Sequence, residues 1–221
     1  MVQSEFKSSP DFSELLQEKH LLILLNHAAP LSWIPASSLL TTKFIEAGAG
    51  DRIPLGVADK WFYTNPLGAK FAHFFTQSNR ALSFDELVEH FQKEDKTDLV
   101  LFPEGANTFF SDVKTLAEFR SPRFIEIALQ SGAPILMVCH QGSEGWTFPL
   151  RLPPQWGMVL QPFAKFFATQ ISQGLPINLP LIGGKIPLFK MHCKLYRPTL
   201  KLEDLSDDAD LRRSQLWVEA H

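Results

Sequence analysis

Two short stretches put groups capable of proton transfer just beyond buried strands. Leu21–Leu25 is an unbroken aliphatic run, and Asn26-His27 follows it directly. The segment "DLVLFP" (98–103) reads the same way and leads into Glu104-Gly105. An imidazole with an ordinary pKa of about 6.5 accepts a proton near neutral pH. That suits a general base acting on a hydroxyl as it attacks a carbonyl carbon. Pro103 fixes the backbone before Glu104, and Gly105 permits a tight turn and close ligand approach. The bland alternatives are a His that caps a strand end through the main chain and a turn glutamate in solvent.

These groups need a scaffold that brings strand ends together. The segments 20–25, 52–58, 98–103, 133–139 and 190–198 read as strands. The first, third and fourth are continuous apolar runs, as expected for parallel strands covered on both faces. Helices lie between them. Ser83 and Glu86 have capping-box spacing, and Phe84, Leu87, Val88 and Phe91 follow at helical intervals. Ser121-Pro122 reads as an N-cap followed by Pro at the first helical position. Phe124, Ile127 and Ala128 form that helix's inner face, and Gly132 ends it. The expected fold is α/β: a single domain over 1–221, core about 20–200, with a mostly parallel mixed sheet flanked by helices. In such sheets ligands bind beyond the carboxyl ends of the strands. His27 and Glu104 then face one crevice.

Composition narrows the function classes. The chain has 221 residues and a formal net charge of −3, with no basic stripe of the kind nucleic-acid partners require. Cys139 and Cys193 read as buried, reduced thiols of a cytosolic protein. No spacing suggests a metal site. The N-terminal stretch is polar and mixed in charge, unlike a secretory leader. The longest aliphatic run, Leu21–Leu25, is far short of the roughly 18–20 residues of a membrane span. Phe is abundant, 19 against 2 Tyr.

Asn26-His27, then Phe102-Pro103-Glu104-Gly105, then a helix closed by Gly132-Ala133-Pro134-Ile135 resembles the glycerolipid acyltransferases. These are the lysophosphatidic acid acyltransferases and their relatives. "GVADKWFYTNPLGAKF" and "EFRSPRFIEIALQSGAPILMVCHQGSEGW" resemble the family's intervening segments. "GLPINLPLIGGKIPLFKMHCKLYRP" looks like the closing segment of a diacylglycerol-type subgroup. The likeness covers roughly residues 20 to 200. Against the family's N-H-x-x-x-x-D block, Ser32 stands where Asp is usual. Ala106-Asn107 follows the F-P-E-G block, the Arg-containing block is reduced to Arg80, and Pro122 replaces a small Gly.

The resemblance implies fatty acyl transfer from acyl-CoA or acyl carrier protein to a lysophospholipid, glycerolipid or other lipophilic acceptor. His27 would be the base, with Ser32 in the orienting position. Asn26, Arg80, Phe102, Pro103, Glu104, Gly105 and Arg120 would bind substrate. No cofactor or metal is implied; the acyl donor is a co-substrate. A hydroxyl can orient an imidazole but supplies no negative charge, and a neutral residue in the analogous protease position costs on the order of 10⁴ in turnover. Asp59, Glu104 and Asp112 are other carboxylates able to take that role. Ser32 also reads as a helix N-cap before "WIPASSLL". The alternative function is a catalytically weak or inactive relative that binds lipid or acyl chains. Hydrolysis ranks lower, since no G-x-S-x-G elbow is present.

Glu104 could pair with Arg80 or Arg120, and Arg120 and Arg123 flank the N-terminus of the 122–131 helix. Ser143-Glu144-Gly145 follows a strand and could border the pocket. His73, His90, His140 and His192 suggest no site. A lipid-using protein of this kind is expected on the inner membrane face, cytoplasmic and peripheral. The aromatic segments 60–75 and 156–171, the latter with Phe166 and Phe167, either touch the bilayer or cover the sheet.

Overall fold

The computed structural model describes residues 3–27, 31–58, 60–64, 66–105, 110, 118–161, 165–181, 183 and 185–221. Strands β1 (Gln3–Ser8), β2 (Leu21–Leu25), β3 (Ile53–Gly56), β4 (Thr97–Leu101), β5 (Ile135–Gln141) and β8 (Leu188–Tyr196) form one sheet. Its order is β1-β8-β5-β2-β4-β3. The four strands β5, β2, β4 and β3 are mutually parallel. β8 runs antiparallel to β5, and β1 lies parallel to β8 at the edge. Strands β6 (Thr147–Leu150) and β7 (Ile177–Pro180) form a separate antiparallel pair. The architecture is the expected α/β mixed sheet, mostly parallel, with helices on both faces.

Every residue of β2 is buried, as its uninterrupted aliphatic run requires. Leu21, Ile23 and Leu25 join Phe12, Ala36, Leu40, Phe44, Phe189 and Met191 on one face. Leu22 and Leu24 join Val88, Phe91, Leu99, Phe124 and Ile125 on the other. Successive side chains of a strand point to opposite faces, so this one run serves both cores. Helices α1 (Phe12–Leu15) and α2 (Trp33–Glu46) cover the first face. Helices α4 (Phe84–Gln92), α5 (Arg123–Ser131) and α8 (Ala209–Ala220) cover the second. Phe12, Leu15, Leu205 and Leu216 also belong to the core.

Helix starts follow their local chemistry. Both halves of the Ser83–Glu86 capping box are formed. At α5 the start falls one residue later than the Ser-Pro pair suggests. Pro122 has no N–H, so the Ser121 hydroxyl takes the next free amide, that of Arg123, at 3.3 Å. Gly132 then ends α5 at φ +67°. Segment 156–171 is two helices, α6 (Gln155–Leu160) and α7 (Lys165–Ser172), rather than one. Pro162 and the side chains of Phe166 and Phe167 lie outside the described part. Among the described residues no helix is long and apolar enough to cross a membrane.

Candidate active site

The carboxyl ends of β2, β4 and β5 lie side by side. Leu24 is level with Leu101 on β4, and Leu25 with Val138 on β5. Asn26 and His27 therefore emerge between the Phe102–Gly105 turn and Cys139-His140. The His27 ring meets Phe102 edge-on, with centroids 5.0 Å apart. Glu104 is buried, and its carboxylate accepts the main-chain N–H of His27.

Asn26 faces β5. Its Oδ1 accepts the His140 N–H at 2.7 Å, and its Nδ2 donates to the His140 carbonyl at 3.0 Å. The His140 Nε2 lies 2.7 Å from the Asn26 carbonyl oxygen. A carbonyl only accepts, so Nε2 carries the proton and Nδ1 holds a lone pair. The His140 ring is stacked on Phe189, with centroids 5.5 Å apart. The turn beyond β5 is fixed by Gly142 at φ +105°, where a Cβ would lie 2.1 Å from the Leu188 carbonyl oxygen.

The electrostatics follow from burial. Desolvation and the neighbouring His140 hold the His27 pKa down to about 4. Desolvation also holds His140 down to about 4, against the opposing pulls of Asn26 and Glu144. Both rings are neutral at physiological pH. Burial raises the Glu104 pKa, while its own N–H and that of His27 pull it back. Among the described residues Glu104 Oε2, His140 Nδ1, Ser143 Oγ and Thr147 Oγ1 are buried without a hydrogen-bond partner. Orphaned polar atoms of this kind are rare in native interiors.

The structure brings Asn26, His27, Phe102, Pro103 and Glu104 together from separate parts of the chain. Gly105, at φ +60°, packs under the Arg120 side chain, which a Cβ would meet at 3.4 Å. The Arg120 N–H donates to the Pro103 carbonyl at 2.8 Å, tying the two turns. Arg80 stands apart. Its guanidinium is exposed and forks onto both carboxylate oxygens of Glu86, at 2.9 and 2.5 Å. The capping-box carboxylate was within its reach, so no Arg80–Glu104 pair forms. Ser32 is fully buried at the N-cap of α2 but gives no side-chain cap to that helix. Asp59, Ala106, Asn107 and Asp112 lie outside the described residues. Ser143 is fully buried before a 3₁₀ turn at Glu144–Trp146. Cys139 is exposed rather than buried, because at the end of β5 side chains alternate between a buried face (Val138, His140) and an exposed one (Cys139, Gln141); Cys193 is buried. Among the described residues no three His, Cys, Asp or Glu side chains are placed to hold a metal ion.

Sequence reasoning missed His140. The signal was available: it follows the apolar run "ILMVC", as His27 follows "LLILL".

No protein-family model matches the chain, and no curated protein matches it. Among solved structures it is similar to the 1-acyl-sn-glycerophosphate (LPA) acyltransferase PlsC from Thermotoga maritima. The identity is 15% over 97% of this chain and 68% of that one, with a TM-score of 0.44.

Proposed function

We propose that the protein transfers a fatty acyl group from acyl-CoA or acyl carrier protein to a lysophospholipid, glycerolipid or other lipophilic acceptor. The observation that carries this reading is the meeting of His27 with Glu104 at adjoining strand ends, 77 residues apart in sequence. His27, being neutral, takes the acceptor's hydroxyl proton as the oxygen attacks the thioester carbon. The tetrahedral intermediate collapses, the C–S bond breaks, and the proton passes to the leaving thiolate. The products are an ester and a free thiol. Asn26, Phe102, Pro103, Gly105 and Arg120 would line the acceptor site, with Arg80 at its periphery. Ser32 would occupy the orienting position without supplying charge. The Glu104 carboxylate, held against the His27 main chain, would supply the negative charge beside the imidazolium.

The decisive experiment offers labelled acyl-CoA or acyl carrier protein with a panel of lipid acceptors to wild type and His27→Ala. Loss of a general base lowers turnover by about 10²–10⁴-fold. Equal product from both proteins would sink the base assignment. A second reading, a weak or inactive lipid-binding relative, is favoured by the low His27 pKa of about 4 and by Ser32. Acyl-chain binding without turnover in wild type would select it.

A peripheral membrane location, cytoplasmic and on the inner face, belongs to the same reading. On α3 (Pro66–Thr76), Leu67 is 81% and Phe74 71% exposed, while Ala72 and Thr76 face inward. On α6, Met158 is 71% and Val159 62% exposed. Phe75 of α3 packs edge-on against Trp33, the first residue of α2. Leu67→Ser with Phe74→Ser should weaken vesicle binding, read by flotation, by about 10²-fold or more, since each buried large apolar side chain contributes about 1.5–3 kcal/mol. Unchanged flotation of the folded variant would remove α3 from the contact.

A further inference from the structure

In a parallel pair the ladder is carried by evenly spaced main-chain groups. Between β2 and β5 it continues to Asn26, whose N–H donates to the Val138 carbonyl at 3.2 Å. Beyond that point a side chain takes over. The His140 N–H goes to Asn26 Oδ1, and the His140 carbonyl accepts from Asn26 Nδ2. The Asn26 side-chain amide stands in for a peptide group, and the Asn26 carbonyl is released from the ladder.

The released carbonyl is not left to solvent. It accepts from His140 Nε2 at 2.7 Å. The other polar end of the same peptide unit is the His27 N–H, which Glu104 accepts. In a trans peptide the C=O and N–H point to opposite sides. The unit that carries His27 is therefore gripped from both flanking strands, by a β5 side chain on one side and by the turn after β4 on the other. His140 can hold firm because it is itself fixed. Its ring is 2% exposed and rests on Phe189, and its main chain is bracketed by Asn26.

We infer that His140 is a positioning residue: together with Glu104 it fixes the plane of the Asn26–His27 peptide and so sets where the His27 imidazole stands in the crevice. The inference builds on the reading of His27 as the base, but its geometry is testable separately. Rotation of that peptide swings the His27 Cα–Cβ bond, and a misplacement of about 1 Å can cost on the order of 10²-fold in rate.

Two variants separate the donor from the bulk. His140→Phe keeps a flat ring that can rest on Phe189 but has no donor. His140→Gln places an amide N–H near the position of Nε2. Each is compared with wild type by residue-resolved hydrogen exchange at the His27 amide, with the β5 and β8 amides as the control for folding. Acyl-transfer kcat and KM are measured in parallel. In His140→Phe, exchange at His27 should accelerate about tenfold, the equivalent of one net hydrogen bond. In the same variant kcat should fall about tenfold to 10²-fold with KM little changed. His140→Gln should return both toward wild type. Unchanged His27 exchange in His140→Phe, or His140→Gln no nearer to wild type than His140→Phe, would overturn the inference. If wild type and His27→Ala prove equally active, the reading of His27 as the base fails, while the exchange pattern still decides the positioning role.

Discussion

The two ends of the central sheet handle buried polarity in opposite ways. At the amino end, Asp98 accepts Arg52 Nε at 2.7 Å, Arg52 Nη2 at 2.5 Å and the Leu21 N–H at 3.0 Å. Arg52 also donates to the Glu18 carbonyl at 2.9 Å. The two side chains are only 4% and 5% exposed, yet neither leaves a buried polar atom without a partner among the described residues. At the carboxyl end, Glu104, His140 and Ser143 each leave such an atom. One end uses charge to lock the register of β2, β3 and β4. The other holds acceptor capacity open where strands deliver His27. Departures from local consistency of this kind are expected at functional sites.

The contrast can be broken most severely at the locked end. Arg52→Met leaves the Asp98 charge buried and unpaired, which costs about 3–5 kcal/mol. Chemical denaturation should show that loss, while activity per folded molecule stays near wild type. A loss under about 1 kcal/mol would mean water reaches Asp98.

Acidification tests the open end. His140 titrates at about 4 when folded and near 6.5 when unfolded, so the unfolded state takes its proton first. Its contribution is complete above pH 6.5 and is lost as pH falls toward about 4, a loss on the order of 3 kcal/mol. His27 acts in the same direction. Glu104, raised on folding, acts in the opposite direction and offsets part of the loss. Denaturation from pH 7 to 4 should give a shallower slope for His140→Gln than for wild type. Equal slopes would show that His140 is not held neutral.

Glu104→Gln sharpens the comparison with the smallest structural change. The amide oxygen still accepts the His27 N–H, and the penalty of a buried charge disappears. Stability should move by less than about 1 kcal/mol, while acyl transfer falls about 10²-fold for want of the negative charge. Full activity in this variant would exclude Glu104 as the charge beside the imidazolium.

The sequence made the centre of the fold legible. Apolar runs long enough to be buried on both faces have few alternatives, so β2, β4 and β5 could be read directly, as could the capping box at Ser83. β1 was not legible. Its residues "QSEFKS" are polar because an edge strand buries little, and only pairing with β8 makes it a strand. Helix α8 was hidden in the same way, burying little beyond Leu216. At the site, His27, Glu104 and Gly105 carried local signals at strand ends. His140 carried one too, at the end of "ILMVC", but what it does there depends on a partner 114 residues away and could not be read locally. Arg80 misled for the converse reason, since its partner Glu86 was close in sequence and already counted as a helix cap.

Cys139 shows what the crowding at the open end does to a bystander. Its thiol is exposed, yet the surrounding protein and the nearby Glu104 carboxylate both push its pKa upward. The thiolate is the species that oxidants and alkylating reagents attack. A raised pKa lowers the thiolate fraction, so this accessible sulfur is expected to react slowly with peroxide and disulfides. Maleimide labelling at Cys139 should therefore be slow at neutral pH and quicken when Glu104 is replaced by Gln.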